Sequence, residues 1–163
     1  MNVSLRSVDE SNFRPVIALD VGPEQQRFVA PNVRSIAESK IYPYLTPQAV
    51  YADEQLVGFA LYGRDPETEK YWIVRLMIDA AYQGKGYGKA AMLSLLDRMR
   101  LMPECREVFL SFVPDNEFAA RLYHRIGFER TGEMDESGEI IMRFQLDKKL
   151  ETPKGASRLV DVS

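Results

Sequence analysis

The residues best equipped for chemistry lie in one turn, Asp79-Ala80-Ala81-Tyr82-Gln83-Gly84-Lys85-Gly86-Tyr87-Gly88-Lys89-Ala90. Gly84, Gly86 and Gly88 alternate there with other residues, and Lys85 and Lys89 are interleaved with them. Glycine lets a backbone approach a ligand closely and frees the dihedrals of a tight turn. Residues 71–78, Tyr-Trp-Ile-Val-Arg-Leu-Met-Ile, are β-branched and aromatic and predict a strand in front of the turn. Behind it Ala91, Met92, Leu95, Leu96 and Met99 fall at helical spacing, with Asp97, Arg98 and Arg100 between them. A helix start offers unpaired N–H groups and the positive end of the macrodipole. Glycines and lysines at such a start make an anion site suited to a pyrophosphate.

Spacing separates this turn from other phosphate loops. A Walker loop needs a glycine directly before Lys-Ser or Lys-Thr and another five residues before the lysine. Lys89 has Gly88 and Gly84 in those places, but Ala90 stands where a hydroxyl binds magnesium. Lys85 has Gly84 before it, but Ala80 replaces the other glycine. A Rossmann fingerprint needs Gly-x-Gly-x-x-Gly near a first strand. Here the spacing is Gly-x-Gly-x-Gly in mid-chain, so both designs fit poorly.

At 163 residues the chain has the size of one domain with a substantial core. Residues 1–146 read as that domain and 147–163 as a polar tail that frays. No run of about 18 apolar residues occurs, so no membrane span is expected, and residues 1–6 do not read as a signal peptide. The lone Cys105 excludes an internal disulfide and suits a reducing cytoplasm. The lone His124 argues against a His-rich metal site, and no metal is expected. A net charge of −3 argues against nonspecific nucleic-acid binding and is compatible with a cationic substrate.

The remaining elements must hold the turn in place. Residues 3–8 predict a first strand. Asn12 is placed to cap a helix through Leu19, and Asn32 one to about Lys40. Pro43 and Pro47 read as a linker. Residues 49–52 and 55–62 predict a hairpin turning at Asp53-Glu54, with 63–68 a loop. Residues 107–113 predict a buried strand. Residues 116–126 predict a helix with Ala119, Leu122, Tyr123 and Ile126 on one side, closed by Gly127. Residues 129–134 and 139–144 predict a last hairpin. The layout is β, two helices, a β-meander, then βαβαββ, a mixed α/β sheet.

Two blocks resemble the GNAT N-acetyltransferases. That family carries Gln/Arg-x-x-Gly-x-Gly/Ala after its fourth strand, here Gln83, Gly86 and Gly88. It also carries Asn-x-x-Ala-x-x-Leu-Tyr-x-x-x-Gly-Phe, here Asn116, Ala119, Leu122, Tyr123, Gly127 and Phe128 without departure. Residues 28–32 (Phe-Val-Ala-Pro-Asn), Tyr71-Trp72 and residues 76–79 (Leu-Met-Ile-Asp) look like the bacterial spermine/spermidine acetyltransferases. The resemblance implies a mostly antiparallel sheet of about seven strands, splayed between strands 4 and 5 and flanked by about four helices. It implies acetyl-CoA as co-substrate. Backbone amides of Gly84, Lys85, Gly86, Tyr87, Gly88 and Lys89 would hold its pyrophosphate, with Gln83 beside them. Backbone of Leu76, Met77 and Ile78 would pair with pantetheine, Asn116 would bond that arm, and Tyr123 would sit by the thioester sulfur. The implied partner is a small-molecule amine, most readily a polyamine, and a homodimer is compatible with it. A protein N-terminus, a lysine or an aminoglycoside is the alternative acceptor, and a noncatalytic acyl-CoA-binding module the alternative class.

Amine acetylation sets its own requirements. An alkylammonium has a pKa of about 10.4 by analogy with lysine and must lose a proton. Attack makes an oxyanion, for which the Met77 N–H is the most plausible donor. The leaving thiolate has a conjugate acid of about 8.5, so a phenol of about 10 can return its proton. This is the physical case for Tyr123 as general acid. Some relatives place a glutamate two residues before the pantetheine-binding triplet, where this chain has Val74, followed by Arg75. No single base follows from the sequence; a water chain to another carboxylate or to Tyr71 is open. Glu24, Glu38, Asp53 and Glu54 read as surface charges that also attract a polyamine. Arg75 reads equally as substrate contact or salt-bridge residue. His124 points about 100° from Tyr123 round the helix and reads as a surface residue. Cys105 reads as an inert thiol and Trp72 as a sheet-packing residue.

Overall fold

The structure, a computed structural model, describes residues 2–146; the expected tail at 147–163 lies outside them. Among the described residues there are seven strands and four helices: β1 Val3–Ser7, α1 Phe13–Ala18, α2 Asn32–Ile41, β2 Leu45–Ala52, β3 Gln55–Arg64, β4 Tyr71–Ile78, α3 Tyr87–Arg100, β5 Glu107–Phe112, α4 Glu117–Ile126, β6 Glu129–Met134 and β7 Ile140–Gln145. Short 3-10 turns at Gln26–Phe28 and Ala80–Tyr82 complete the list. The strands form one sheet in the order β1-β2-β3-β4-β5-β7-β6. Every neighbouring pair is antiparallel except β4 and β5.

Each face of the sheet carries its own core. Met92, Leu95, Leu96 and Met99, at the helical spacing read from sequence, bury against Ile73, Val108, Leu110 and Phe112. On the other face Val16 of α1 packs with Ala49, Phe59, Leu61 and Met77. At about 25 cal/mol per Å² of apolar area, such burial on both faces is the main stabilising term.

The sheet opens where the strands stop pairing. β4 meets β5 only at Tyr71↔Val108 and Trp72↔Phe109. On its other side β4 has an irregularity: Leu61 pairs with Arg75 but Tyr62 with Ile73, leaving Val74 as the extra residue. A bulge bends and twists the strand that carries it. β5 meanwhile continues along β7 to Phe112↔Ile140, so the outer half of β4 leaves its parallel neighbour. The bulge leaves no signature in Val74-Arg75 themselves.

Several local expectations are corrected. Asn12 precedes α1 but makes no side-chain cap; it accepts from Asp9 N at 2.9 Å and donates to Ser7 O at 3.0 Å, fastening the loop. Asn32 lies inside α2 behind Pro31; its buried Nδ2 donates to Val16 O at 2.9 Å, joining α2 to α1. Pro47 is not linker. It lies in β2, one residue beyond Gln48, the last position β1 covers, where a missing N–H is tolerated. Gly63 and Arg64 end β3 rather than opening the loop. A Cβ on Gly63 would fall 2.1 Å from Tyr44 O, so the close approach of β2 to β3 demands glycine there.

Candidate active site

The anion turn takes the conformation its glycines permit. Gly84 and Gly86 have φ of 79° and 89°, the left-handed region that other residues enter at a cost of about 1–2 kcal/mol. Asp79 accepts from Ala81 N at 2.9 Å and from Asp20 N at 3.0 Å, pinning the turn to the α1–α2 connection. Gln83 is a brace: its Nε2 donates to Ile78 O at 2.8 Å, and its Oε1 accepts from Gln25 at 2.9 Å. Gly86 stands at the N-cap of α3 with no side-chain cap, and no acidic residue occupies the first turn. The first backbone bond of the helix runs from Ala90 N to Gly86 O. The N–H groups of Tyr87, Gly88 and Lys89 therefore have no intrahelical acceptor, which is the arrangement that receives a phosphate.

This turn opens into a cleft of about 1250 Å³ at the parting of β4 and β5. All of the candidate residues Leu76, Met77, Ile78, Gln83, Gly84, Gly86, Tyr87, Gly88, Lys89, Asn116 and Tyr123 line it. Lys85 does not. The topology accounts for the convergence: β4 and β5 are parallel, so α3 and α4 both begin at the same edge of the sheet. Asn116 caps α4, its Oδ1 accepting from Ala119 N at 3.1 Å, which leaves its Nδ2 as the free end of the amide. Arg27 reaches Asp115 at 3.5 Å, tying the α1–α2 connection to the β5–α4 loop, and both residues line the cleft.

Tyr123 lies between Phe112 and Phe128, with ring centroids 6.3 and 5.8 Å away. Burial pushes its phenol up to about 12. The proton is therefore held more tightly than the ordinary phenol value suggests, and the mismatch with a thiol is wider. Among the described residues its hydroxyl has no hydrogen-bond partner.

Asp135 and Glu139 also line the cleft, which the sequence reading did not single out. Ser111 on β5 donates to Glu139 Oε1 at 2.8 Å, and Asp135 Oδ1 accepts from Glu139 N at 2.9 Å and Ser137 Oγ at 2.7 Å. Burial opposes ionisation of Asp135, but these donors together hold its carboxyl below the usual range. No described cation lies within ion-pair distance of Asp135 or Glu139. Asp-Glu-Ser-Gly at 135–138 reads as a hairpin turn, and only the fold shows that it faces the cleft.

Other sequence candidates sort by position. Arg75 is a salt-bridge residue, donating to Glu38 Oε1 at 2.5 Å and Ser35 Oγ at 3.2 Å. Burial disfavours the Glu38 charge, yet Arg75 and then Arg34 hold its carboxyl below the ordinary range. Tyr71 lies outside the cleft and donates to Pro103 O at 2.7 Å, so it ends no proton relay there. Glu54 pairs with Arg6 and Asp53 accepts from Asn2, both at the β2–β3 turn, and Glu24 does not line the cleft. Cys105 is buried, and burial pushes its thiol up to about 11, as an inert thiol requires. His124 is exposed. Among the described residues no three His, Cys, Asp or Glu side chains are grouped to hold a metal, and no helix is long and apolar enough to cross a membrane.

Comparison with known proteins places this geometry. Residues 13–128 match the model of the acetyltransferase (GNAT) family. The chain is 32% identical over 148 residues to a spermine/spermidine N(1)-acetyltransferase of Bacillus subtilis (strain 168), covering 87% of this chain and 97% of that one. A shorter match, 39% over 80 residues, is to the N-alpha-acetyltransferase RimI of Mycobacterium tuberculosis, covering 47% of this chain and 48% of that one. Among solved structures the fold is similar to a spermidine N-acetyltransferase from Vibrio cholerae in complex with CoA and spermine. The TM-score is 0.69 at 17% identity, over 86% of this chain and 92% of that one. It is also similar to an aminoglycoside acetyltransferase in complex with coenzyme A and kanamycin, with a TM-score of 0.76 at 19% identity, over 93% and 99% of the two chains. With the family model spanning most of the chain and the sheet splayed at β4 and β5, the chain belongs to the GNAT family of acetyl-CoA-dependent N-acetyltransferases.

Proposed function

We propose that this enzyme acetylates a primary amine of a small linear polyamine, with acetyl-CoA as donor, by direct attack in a ternary complex. The observation that carries the reading is the sharing of one cleft by two unlike walls. One is the uncapped N–H turn at Gly84–Lys89 with Tyr123; the other is the acidic wall of Asp135 and Glu139. An anionic donor and a cationic acceptor each find the charge they need. The named activity of the Bacillus subtilis relative supports the acceptor class.

The chain's residues fit the donor. The N–H groups of Tyr87, Gly88 and Lys89, with the left-handed glycines before them, hold its pyrophosphate. Lys89 adds charge from inside the cleft. The free edge of β4 at Leu76, Met77 and Ile78 pairs with the pantetheine amides, because β5 has left that edge. The Asn116 amide bonds the same arm. When bound, the donor supplies an activated acyl group on sulfur.

The acceptor enters as an ammonium. Asp135 and Glu139 stabilise that charge, and the proton that must leave before nitrogen can attack passes to solvent. The Met77 N–H stands on the opened strand as donor to the acyl oxygen. Tyr123 presents its hydroxyl to the departing sulfur. The bulge at Val74 occupies the position where some relatives carry a glutamate, so the negative charge comes from the β6–β7 hairpin instead.

The test is incubation with acetyl-CoA and a panel of spermine, spermidine, a short monoamine, kanamycin and a peptide with a free N-terminus, reading thiol release. Turnover is expected with the polyamines foremost. Release with none of them overturns the reading, and preference for the peptide or kanamycin moves the acceptor to that class. Tight CoA binding without turnover makes the chain a binding module.

A further inference from the structure

A second hollow, of about 340 Å³, lies between the end of α2, the β2–β3 end and β4. Val74 and Arg75 line both it and the large cleft, so the two meet at the β4 bulge. Its other walls include the aromatic rings of Tyr42, Tyr44 and Trp72 and the carboxylates of Glu38 and Asp65. The rings of Tyr42 and Tyr44 stand 5.9 Å apart at 48°, and the two residues are 48% and 41% exposed. Two large rings, each close to half exposed, thus stand side by side in the wall of the hollow. Tyr44 is held in place by backbone: its carbonyl is the group that forbids a side chain at Gly63. The carboxylates divide the work. Glu38 is committed to Arg75 and Arg34. Asp65 accepts from Glu67 N at 2.9 Å, and no described cation lies within ion-pair distance of it.

We propose that this hollow is a cation cage for a second, non-reacting ammonium of the acceptor. Ring faces attract an ammonium through their quadrupoles, and an alkyl chain packs on the same faces. Asp65 completes the charge. The ligand class is a linear di- or polyammonium: one nitrogen in the cleft, a methylene run across the bulge at Val74, and a distal ammonium among Tyr42, Tyr44 and Trp72. The inference rests on the proposed amine transfer and adds a length requirement to it. A short monoamine reaches the cleft alone and gains nothing from the cage.

Trp72 makes the cage directly observable, because it is the chain's sole tryptophan. Its emission in the full-length chain is titrated with spermine and, separately, with propylamine, without donor present. A saturable change with spermine and none with propylamine is expected. Kinetically, Tyr44→Ala and Asp65→Asn should each raise the KM for spermine about tenfold, the size of a desolvated cation–π or ion-pair contact. The KM for propylamine should stay unchanged, and Tyr44→Phe should restore the spermine value. Thermal melts confirm that the variants fold, and Asp65→Asn judges the cage if Tyr44→Ala does not fold. Unmoved Trp72 emission, or equal KM increases for long and short amines, overturns the proposal. If no amine is acetylated at all, the transfer reading fails, while the Trp72 titration still decides whether the cage binds a polycation.

Discussion

Replacing Tyr123 by phenylalanine removes one oxygen and little else. The ring keeps its neighbours, Phe112 at 6.3 Å and Phe128 at 5.8 Å, and the hydroxyl has no described partner to orphan. Stability should therefore change by less than about 1 kcal/mol, or a few degrees in Tm. The effect on turnover depends on what the hydroxyl does. In the proposed complex a phenol pushed to about 12 meets a thiol of about 8.5. Complete proton transfer across that gap of about 3.5 units is uphill by about 5 kcal/mol, at about 1.36 kcal/mol per unit. Hydrogen-bond donation to a developing thiolate gives about 1.5–3 kcal/mol without moving the proton. The second effect wins. Tyr123→Phe should thus lower kcat by about 10–150-fold rather than the several thousandfold of a full general acid. Its CoA affinity by calorimetry should stay within about twofold. The sign of the pH dependence follows. The proton is on the phenol below about 12 and lost above it, so Tyr123 contributes no falling limb at any pH where the protein is assayed. Activity should rise towards the amine's own pKa and then level. A kcat loss under about threefold, or a fall in CoA affinity matching the fall in kcat, refutes this reasoning.

The two lysines of the turn should separate: Lys89→Ala, which empties a cleft position, should raise the KM for acetyl-CoA about tenfold and lose that effect in high salt, whereas Lys85→Ala should change it less than about threefold. Glu38 has a depressed carboxyl in the folded state, so its stabilising contribution is present above the ordinary carboxylate range and is lost as pH falls through its lower folded value. Melts of Glu38→Gln and wild type should accordingly differ at pH 7 and converge at low pH, and a constant difference would show that the charge is not responsible. Gly63→Ala puts a methyl 2.1 Å from Tyr44 O and 3.2 Å from Leu45 Cα, backbone atoms that cannot swing aside. It should cost about 1–3 kcal/mol, read as a drop of several degrees in Tm, and an unchanged melt would mean that β2 and β3 separate freely there.

The turn proposed to hold the donor was legible because its geometry is local. A turn that must present N–H groups needs glycines at fixed spacing and a helix behind them, and Gly84, Gly86 and the Ala91–Met99 stripe declare both. The Asn116 and Tyr123 block was legible for the same reason: one helix carries cap, packing and hydroxyl together. Helix caps failed where tertiary contacts outbid them, since Asn12 and Asn32 spend their amides on Ser7 O and Val16 O. Pro47 misled because a proline's meaning in a strand depends on whether a neighbour covers it, and that is a property of the sheet. The proposed acceptor wall was not legible at all. Asp135 and Glu139 reach the cleft only because β7 pairs with β5, a contact across about 30 residues of chain that no local pattern announces.

The bulge at Val74 links these two regions physically. Were β4 regular, its outer half could continue alongside β5 and satisfy its own edge, with neither a free strand for an extended ligand nor an opening through the sheet. One extra residue turns the strand away after Trp72↔Phe109. The same residue marks the wall between the cleft and the aromatic hollow, and its neighbour Arg75 is locked to Glu38 and Ser35 of α2. The lock fixes the bulge from the α2 side, while the brace from Gln83 to Ile78 O fixes the far end of β4. The strand between these two anchors carries Leu76 and Met77, which the proposed transfer needs held still. Loosening either anchor should therefore raise the cost of aligning donor and acceptor together, lowering kcat more than it weakens the binding of either alone.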